Sequence, residues 1–214
     1  EDPYIDGLED AKAYLHDHEG DSVLKRLETE RPKIQADIEA GKRLQKDRNA
    51  PAFVSKTVDE LDRKWKDTNE KAKQKHEKLK QKVKEWENYE TSKTQCLQLL
   101  KKAEAELEKP PNTTGQELAE KDLQSKKELQ RTLNKLKDNI NDMQKLNAVL
   151  AESASRERQG PLKVEISDID KRLDNVSTRL NAKLADLEAT IAKWTEYYKR
   201  LNNFCEWLNK KETN

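Results

Sequence analysis

Histidines are the side chains in this sequence most suited to bind a transition metal, and two of them lie close together. His16 and His18 are separated by one residue. Because each residue of an α-helix is rotated by about 100° from the one before, this pair would point to nearly opposite sides of a helix. A helical zinc site needs histidines four residues apart and a third ligand. We therefore expect no metal site and no cofactor.

The two cysteines offer little redox chemistry. Cys96 and Cys205 cannot form a disulfide framework by themselves, and they lie far apart in the sequence. We expect both to be buried as small apolar side chains, in a reducing, cytoplasmic setting.

Catalytic patterns are missing from the sequence. It contains no recognisable pairing of a nucleophile with a base, and its five glycines are scattered near expected helix ends, where they cannot build a phosphate-binding loop. We therefore predict that the chain is not an enzyme and has no catalytic residues.

A dense run of lysines is the strongest charged feature. It is interrupted by only one acid, Glu77, and comprises Lys71, Lys73, Lys75, Lys78, Lys80, Lys82 and Lys84. Such a stripe suits actin, acidic tubulin tails or anionic lipid, although any solvated helix also presents a charged face. The candidate partner-binding residues are Lys71, Lys75, Lys78 and Lys82.

The overall composition tells which elements must hold these side chains. Only 33% of the 214 residues are hydrophobic and 40% are charged, with 43 basic residues nearly balancing 42 acidic ones. Large apolar residues still recur regularly, which favours helices with a narrow buried seam over disorder. The net charge of +1 argues against nucleic acid as a partner. No transmembrane segment or signal peptide is recognisable.

Glycine and proline divide the chain into helices. Neither residue occurs in Ala52–Lys109 or Leu162–Asn214, so each stretch can form one unbroken helix. Pro51 and Pro161 are expected to open these helices, where a missing N–H costs nothing. Pro32 falls inside the first predicted helix and should kink or divide it.

Both long stretches have apolar residues at steps of three or four, the heptad pattern of bundles and coiled coils. The pattern also repeats along the chain. An offset of 108 residues aligns Trp86 with Trp194 and Tyr89 with Tyr197, as well as Leu100 with Leu208. Repeats that contact only their neighbours form an extended rod.

These residues resemble spectrin repeats. Tyr14–Glu19 and Gly41–Leu44 are similar to motifs of the family's second helix, and Trp65 stands where its third helix has a tryptophan. Phe204–Leu208 resembles the first helix of a following repeat. Leu173 replaces the third-helix tryptophan of the second repeat, which makes the repeats divergent and closer to dystrophin, nesprin and plakin rods. The resemblance implies tandem antiparallel three-helix bundles joined by a continuous helical linker.

The predicted fold is therefore all-α, an elongated rod with one complete repeat and parts of two others. The complete repeat covers residues 86–193, with helices at about 86–109, 113–155 and 161–193. Residues 1–85 form a repeat lacking most of its first helix, with helices at about 10–48 and from about 52. Residues 194–214 begin a third repeat. The predicted core and linker residues are Trp65, Trp86, Tyr89, Trp194, Tyr197, Phe204 and Trp207.

The resemblance implies a structural rod or spacer segment of a large cytoskeletal crosslinker or nuclear–cytoskeletal linker, located at the cytoskeleton, at the nuclear envelope or at a membrane reached through other parts of the parent protein. Its expected partners are neighbouring repeats and other proteins, actin or another cytoskeletal component first. Two alternatives stay open: a binding module that uses the lysine stripe, and weak self-association.

Overall fold

The structure, a computed structural model, describes residues 3–20 and 23–212. These residues form five α-helices and contain no strand, so the predicted all-α class is confirmed. The helices are α1 (Leu8–Gly20), α2 (Val23–Leu44), α3 (Ala52–Glu108), α4 (Gln116–Ser153) and α5 (Arg156–Glu212). The finer prediction, an arrangement in spectrin-like repeats, stays a prediction. The predicted repeats also include Glu1, Asp2, Asp21, Ser22, Thr213 and Asn214, which lie outside the described residues.

Helix α3 confirms the prediction of an unbroken helix after Pro51. The carbonyl of Pro51 accepts a hydrogen bond from the amide of Val54 at 2.9 Å, which starts the helix. The 57 residues that follow continue to Glu108, since no glycine or proline interrupts them.

The chain divides into two compact units. Unit 1 contains residues 1–90 and 150–158, and unit 2 contains residues 91–149 and 159–214. The first part of α3 therefore belongs to unit 1, and its remainder belongs to unit 2. The core of unit 1 consists of Ile5, Ala11, Ile38, Val58, Ala72, Leu79, Trp86, Tyr89, Leu150 and Ala154.

In unit 2, three helical segments contact each other pairwise. Polar pairs join α3 to α5 between Lys93 and Glu165 and, further along both helices, between Glu104 and Arg172, so these segments run parallel. Helix α4 is antiparallel to α3, because Cys96 contacts Met143 whereas Glu106, later in α3, pairs with Lys126. It is also antiparallel to α5, through Asn147 with Leu162 and Lys137 with Asp170.

Lys126 shows how these helices combine apolar and charged packing. Its side chain is only 2% exposed, yet its ammonium group lies 3.0 Å from Glu106 and 3.4 Å from Asp122. A buried charge is tolerated only when it is paired, and here two carboxylates from α3 and α4 provide the pairing. The lysine thus ties the two helices together near one end of unit 2.

The start of α5 corrects one prediction. The predicted helices ended at about residue 155 and began again at Pro161, but α4 ends at Ser153 and α5 begins at Arg156. Ser155 caps α5, because its Oγ accepts a hydrogen bond from the amide of Arg158 at 3.3 Å. Pro161 lies inside the helix, where it removes a hydrogen bond only to Glu157, an exposed residue of the first turn.

Helix α2 corrects part of a second prediction, because it continues through Pro32 without dividing there, while a kink at this proline stays a prediction. The proline is exposed, as is Glu28, whose carbonyl would otherwise accept its hydrogen bond; water can satisfy that carbonyl. The helix also ends at Leu44, before the predicted end near residue 48. There Asp47 accepts a hydrogen bond from the amide of Asn49 at 3.0 Å, a local bond that competes with the helix.

Gly41, part of the Gly-x-x-Leu sequence noted above, has a packing role. A Cβ atom added at this position would collide with the side chain of Val58 on α3. The missing side chain therefore allows α2 and α3 to approach closely.

Candidate functional site

A groove in unit 1 collects three of the four candidate lysines. Its volume is about 730 Å³. We call it the lysine groove, and its lining residues are Pro3, Ile5, Gln74, Lys75, Glu77, Lys78, Leu79, Gln81, Lys82 and Ser153. Lys71, the fourth candidate, is exposed on α3 and does not line the groove.

Helix geometry explains why these lysines share one side of α3. Residues 71, 75, 78 and 82 follow steps of four, three and four, which place them within about 60° of one another around the helix axis. Lys73, Lys80 and Lys84 lie on the opposite side of the same helix and are all exposed. The stripe therefore has two faces, of which only one borders the groove.

Part of the groove lining is apolar. Leu79 is 8% exposed and Ile5 is 5% exposed, and Pro3 adds a further apolar surface. Apolar walls beneath charged side chains are typical of ligand sites, in which apolar contact provides affinity and a few polar groups set orientation.

The wall of the groove outside α3 includes Ile5, which belongs to residues 4–6, a segment that we call the strap. The amide of Ile5 donates a hydrogen bond to the carbonyl of Ser153 at 2.8 Å. The carboxylate of Asp6 accepts from the amide and from the hydroxyl of Ser155, at 2.7 and 2.8 Å, and Arg158 donates to the carbonyl of Asp6 at 3.1 Å. The strap thus joins the turn between α4 and α5 to the groove.

Sequence reasoning missed the strap completely. Asp6 and Ser155 are 149 residues apart. An isolated aspartate and a serine in a loop carry no pattern that pairs them. Only the folded chain brings them together.

The part of α3 beside the groove is strongly positive, although some of its lysines are paired with acids on the same helix. Between residues 71 and 84, seven lysines stand against a single acid, Glu77. Lys82 pairs with Glu85 at 2.9 Å, and Lys80 lies 3.9 Å from Glu77. This stretch of α3 therefore carries a net positive charge, part of which is balanced by acids on the same helix.

Two of the three histidines stack on each other, and the third lies apart. His16 is exposed. His18 stacks on His76, with ring centroids 5.8 Å apart, and its Nε2 lies 3.3 Å from the carbonyl of Ala72. His76 lies 3.7 Å from Glu19. Among the residues that the structure describes, no three histidine, cysteine or acidic side chains could hold a metal ion together.

The predicted core aromatics of α3 differ in burial. Trp86 and Tyr89 are both 0% exposed and contact each other edge to face at 5.9 Å. Trp65 is half-buried beside Arg31 and Gln35 of α2. The role of these residues in linking repeats stays a prediction.

The predicted core aromatics of α5 are largely exposed. Trp194 is half-buried and donates a hydrogen bond to the carbonyl of Thr113 at 3.3 Å. Tyr197, Phe204 and Trp207 are each more than half exposed. These three side chains were predicted to lie in a core, but no other described segment covers this side of α5.

The cysteines also separate. Cys96 is buried, and its Sγ lies 3.6 Å from the sulfur of Met143, as expected. Burial raises the pKa of the Cys96 thiol. Cys205 was also expected to be buried but is exposed, because it lies on the uncovered part of α5.

None of the described helices combines the length and the apolar character needed to cross a membrane.

Comparison with known proteins shows similarity to part of a much longer protein. The chain is 29% identical to muscle-specific protein 300 kDa of Drosophila melanogaster over 192 residues, which cover 88% of this chain. The same residues span only 2% of that protein's length. No family model matches the chain, and no solved structure matches it significantly.

Proposed function

We propose that this chain is a structural, non-catalytic segment of a large cytoskeletal protein, a rod or spacer built from divergent spectrin-like repeats of the dystrophin, nesprin or plakin type. In this role the segment gives length and elasticity and carries a protein-docking surface. Its location is the cytoskeleton. The similarity to a short stretch of a far longer Drosophila protein supports a segment of this kind.

The observation that carries the proposal is the continuity of α3. Its 57 residues contribute to both compact units. Because a helix propagates cooperatively, unfolding in one unit removes support from the helix of the other. Mechanical coupling between neighbouring units is the property that an elastic rod requires.

A proline in the continuous helix tests this coupling. Val83→Pro removes a backbone hydrogen bond and introduces a steric clash, so it should lower the free energy of unfolding by about 3 kcal/mol or more. Thermal unfolding followed by circular dichroism should also become less cooperative. Asn203→Pro, in the exposed part of α5, is the control and should have a much smaller effect. An unchanged midpoint and unchanged cooperativity in Val83→Pro would reject the coupling.

A second candidate function is a binding module that uses the lysine stripe, favoured by the position of Lys75, Lys78 and Lys82 along one groove. Replacing these three lysines by glutamine should abolish co-sedimentation with actin filaments, microtubules or anionic vesicles at low salt. The matched control replaces Lys73, Lys80 and Lys84, which changes the charge equally on the opposite face. If both variants co-sediment to the same extent, this function is excluded.

Self-association is a further partner proposal, favoured by the exposed side chains of Tyr197, Phe204 and Trp207. Exposed aromatic side chains along one helix are a common protein contact surface. Light scattering over a range of concentrations tests it, and a purely monomeric mass at all concentrations would reject it.

A further inference from the structure

The lysine groove presents its positive charge as a line. Lys75, Lys78 and Lys82 lie on one side of α3, and the first and last are seven positions apart, which corresponds to about 10 Å along the helix. A single phosphate or carboxylate group would require cations that converge on one point. Three cations in a row instead match a ligand with several negative charges along its length, such as an acidic peptide.

Charge alone does not describe the groove. Its lining also contains Ile5 and Leu79, both almost fully buried, and Pro3. A volume of about 730 Å³ falls within the range of sites that enclose an organic ligand. The space is large enough to receive an apolar side chain from a bound segment, which a purely acidic ligand would leave unused.

The shape of the groove distinguishes a peptide from a membrane surface. Pro3, Ile5 and Ser153 line the groove together with residues of α3, so its surface is built from three separate segments of the chain. A recess of this kind can receive one extended segment, whereas the headgroups of a bilayer meet a protein as a broad layer.

We propose that the lysine groove binds an acidic peptide segment that inserts an apolar side chain between the strap and α3. Acidic side chains of the peptide pair with Lys75, Lys78 and Lys82, and its apolar side chain packs on Ile5 and Leu79. The inference deepens the second candidate function and rests on it, since it names the chemistry of the partner at that site.

Three synthetic peptides test the two parts of this recognition on the complete 214-residue chain. The first is a fluorescein-labelled run of glutamates with a leucine at its centre. The second replaces the leucine by serine, and the third replaces the glutamates by glutamine. Fluorescence anisotropy should show binding of the first peptide, with at least about tenfold weaker binding of each of the other two. Equal binding of the serine peptide would overturn the apolar part of the proposal, and equal binding of the glutamine peptide would overturn the acidic part.

Charge reversal locates the peptide on the protein. Replacing Lys75, Lys78 and Lys82 by glutamate should weaken binding of the leucine peptide by about tenfold or more. The same reversal at Lys73, Lys80 and Lys84 alters net charge identically but leaves the groove intact, so it should cause a much smaller loss. These lysines are at the surface, and circular dichroism can verify that both variants fold. Equal losses in the two variants would show non-specific attraction and overturn the proposal.

The strap provides a variant that leaves every lysine in place. Asp6→Ala removes both hydrogen bonds to Ser155 and should loosen the wall of the groove. Binding of the leucine peptide should fall severalfold, whereas the weak binding of the serine peptide should not change. An unchanged affinity for the leucine peptide would overturn the role of this wall.

Vesicles containing phosphatidylserine separate the proposal from the broader binding function. Lysine-dependent binding to these vesicles without binding of any peptide would overturn the peptide proposal and leave the second candidate function intact. If the chain binds the leucine peptide but does not co-sediment with actin filaments, microtubules or anionic vesicles, the broader function is rejected and the groove is supported as a peptide site.

Discussion

Two segments of this molecule, residues 86–100 and 194–208, have matching apolar residues but very different surroundings. Trp86 and Tyr89 are completely buried, whereas the matching Trp194 is half-buried and Tyr197 is 54% exposed. Further along, Leu100 and Leu208 are 0% and 40% exposed. We call these the covered segment and the uncovered segment.

The difference lies in the neighbours. Beyond Lys93, the covered segment and the rest of α3 contact α4 and α5, for example through Cys96 with Met143 and Glu104 with Arg172. No other described segment covers the corresponding side of α5 around Tyr197 and Phe204. An amphipathic helix thus provides a surface that can be buried, and a second element decides whether it is.

Thiol chemistry should show the largest difference between the two segments. Cys205 is exposed and should react with a thiol reagent at the rate of an unfolded peptide, whereas Cys96 requires an opening of unit 2. Its raised pKa also lowers the fraction of reactive thiolate at neutral pH. We expect Cys96 to react at least about a thousandfold more slowly than Cys205. The rates can be measured with DTNB on two variants: Cys205→Ser, which retains Cys96, and Cys96→Ser, which retains Cys205. Similar rates would show that the covered segment is open in solution.

Tryptophan truncation should give the next largest effect. Trp86→Ala removes a fully buried ring and should destabilise the protein by about 3–5 kcal/mol. Trp194→Ala removes a half-buried ring and one hydrogen bond, so we expect about 1–2 kcal/mol. Urea unfolding of both variants measures the difference.

A third variant separates ring volume from hydrogen bonding. The indole N–H of Trp86 has no acceptor among the described residues, so Trp86→Phe should cost clearly less than Trp86→Ala. Equal destabilisation at positions 86 and 194 would contradict the distinction between the two segments.

The two matching leucines give a smaller but cleaner comparison. Leu100→Ala creates a cavity in unit 2 and should cost about 2–5 kcal/mol. Leu208→Ala, at an exposed position, should change the free energy of unfolding by no more than about 0.5 kcal/mol. If Leu208→Ala instead destabilises at high protein concentration alone, a second copy covers this helix in solution.

The smallest expected effect concerns acid stability. Arg172 donates two hydrogen bonds to the carboxylate of Glu104 and holds the pKa of that carboxyl below its ordinary value of 4.5. A lowered pKa stabilises the folded chain above pH 4.5, and the contribution is lost as the pH falls below that value. Because the pair is partly exposed, solvent screening limits it to about 0.2–1 kcal/mol.

Arg172→Gln should therefore reduce stability at pH 7 and leave it almost unchanged at low pH, as measured by thermal unfolding across the acid range. The control in the uncovered segment is Arg200→Gln. Arg200 also lowers the pKa of Glu196, but both groups lie on a single exposed helix, so the global unfolding curve should not shift. A larger effect from Arg200→Gln would mean that the end of α5 is structurally coupled to the core.

Much of the secondary structure could be predicted from the sequence because its causes are local. The absence of glycine and proline after Pro51 sufficed for the whole of α3, and the three- and four-residue steps identified which side could be buried. The grouping of Lys75, Lys78 and Lys82 on one face followed from the same periodicity. One error arose where a distant contact intervened: Pro161 lies inside α5 because Ser155, anchored by Asp6, starts the helix earlier.

The sequence by itself determined the helices, their apolar seams and the lysine stripe, because each depends on residues within a few turns of one helix. The tertiary structure alone decided which of two matching seams is buried, and it built the lysine groove from the strap and α3. Burial depends on which second surface is present, and the strap joins residues 149 positions apart, so neither can be read from the periodicity of a single helix.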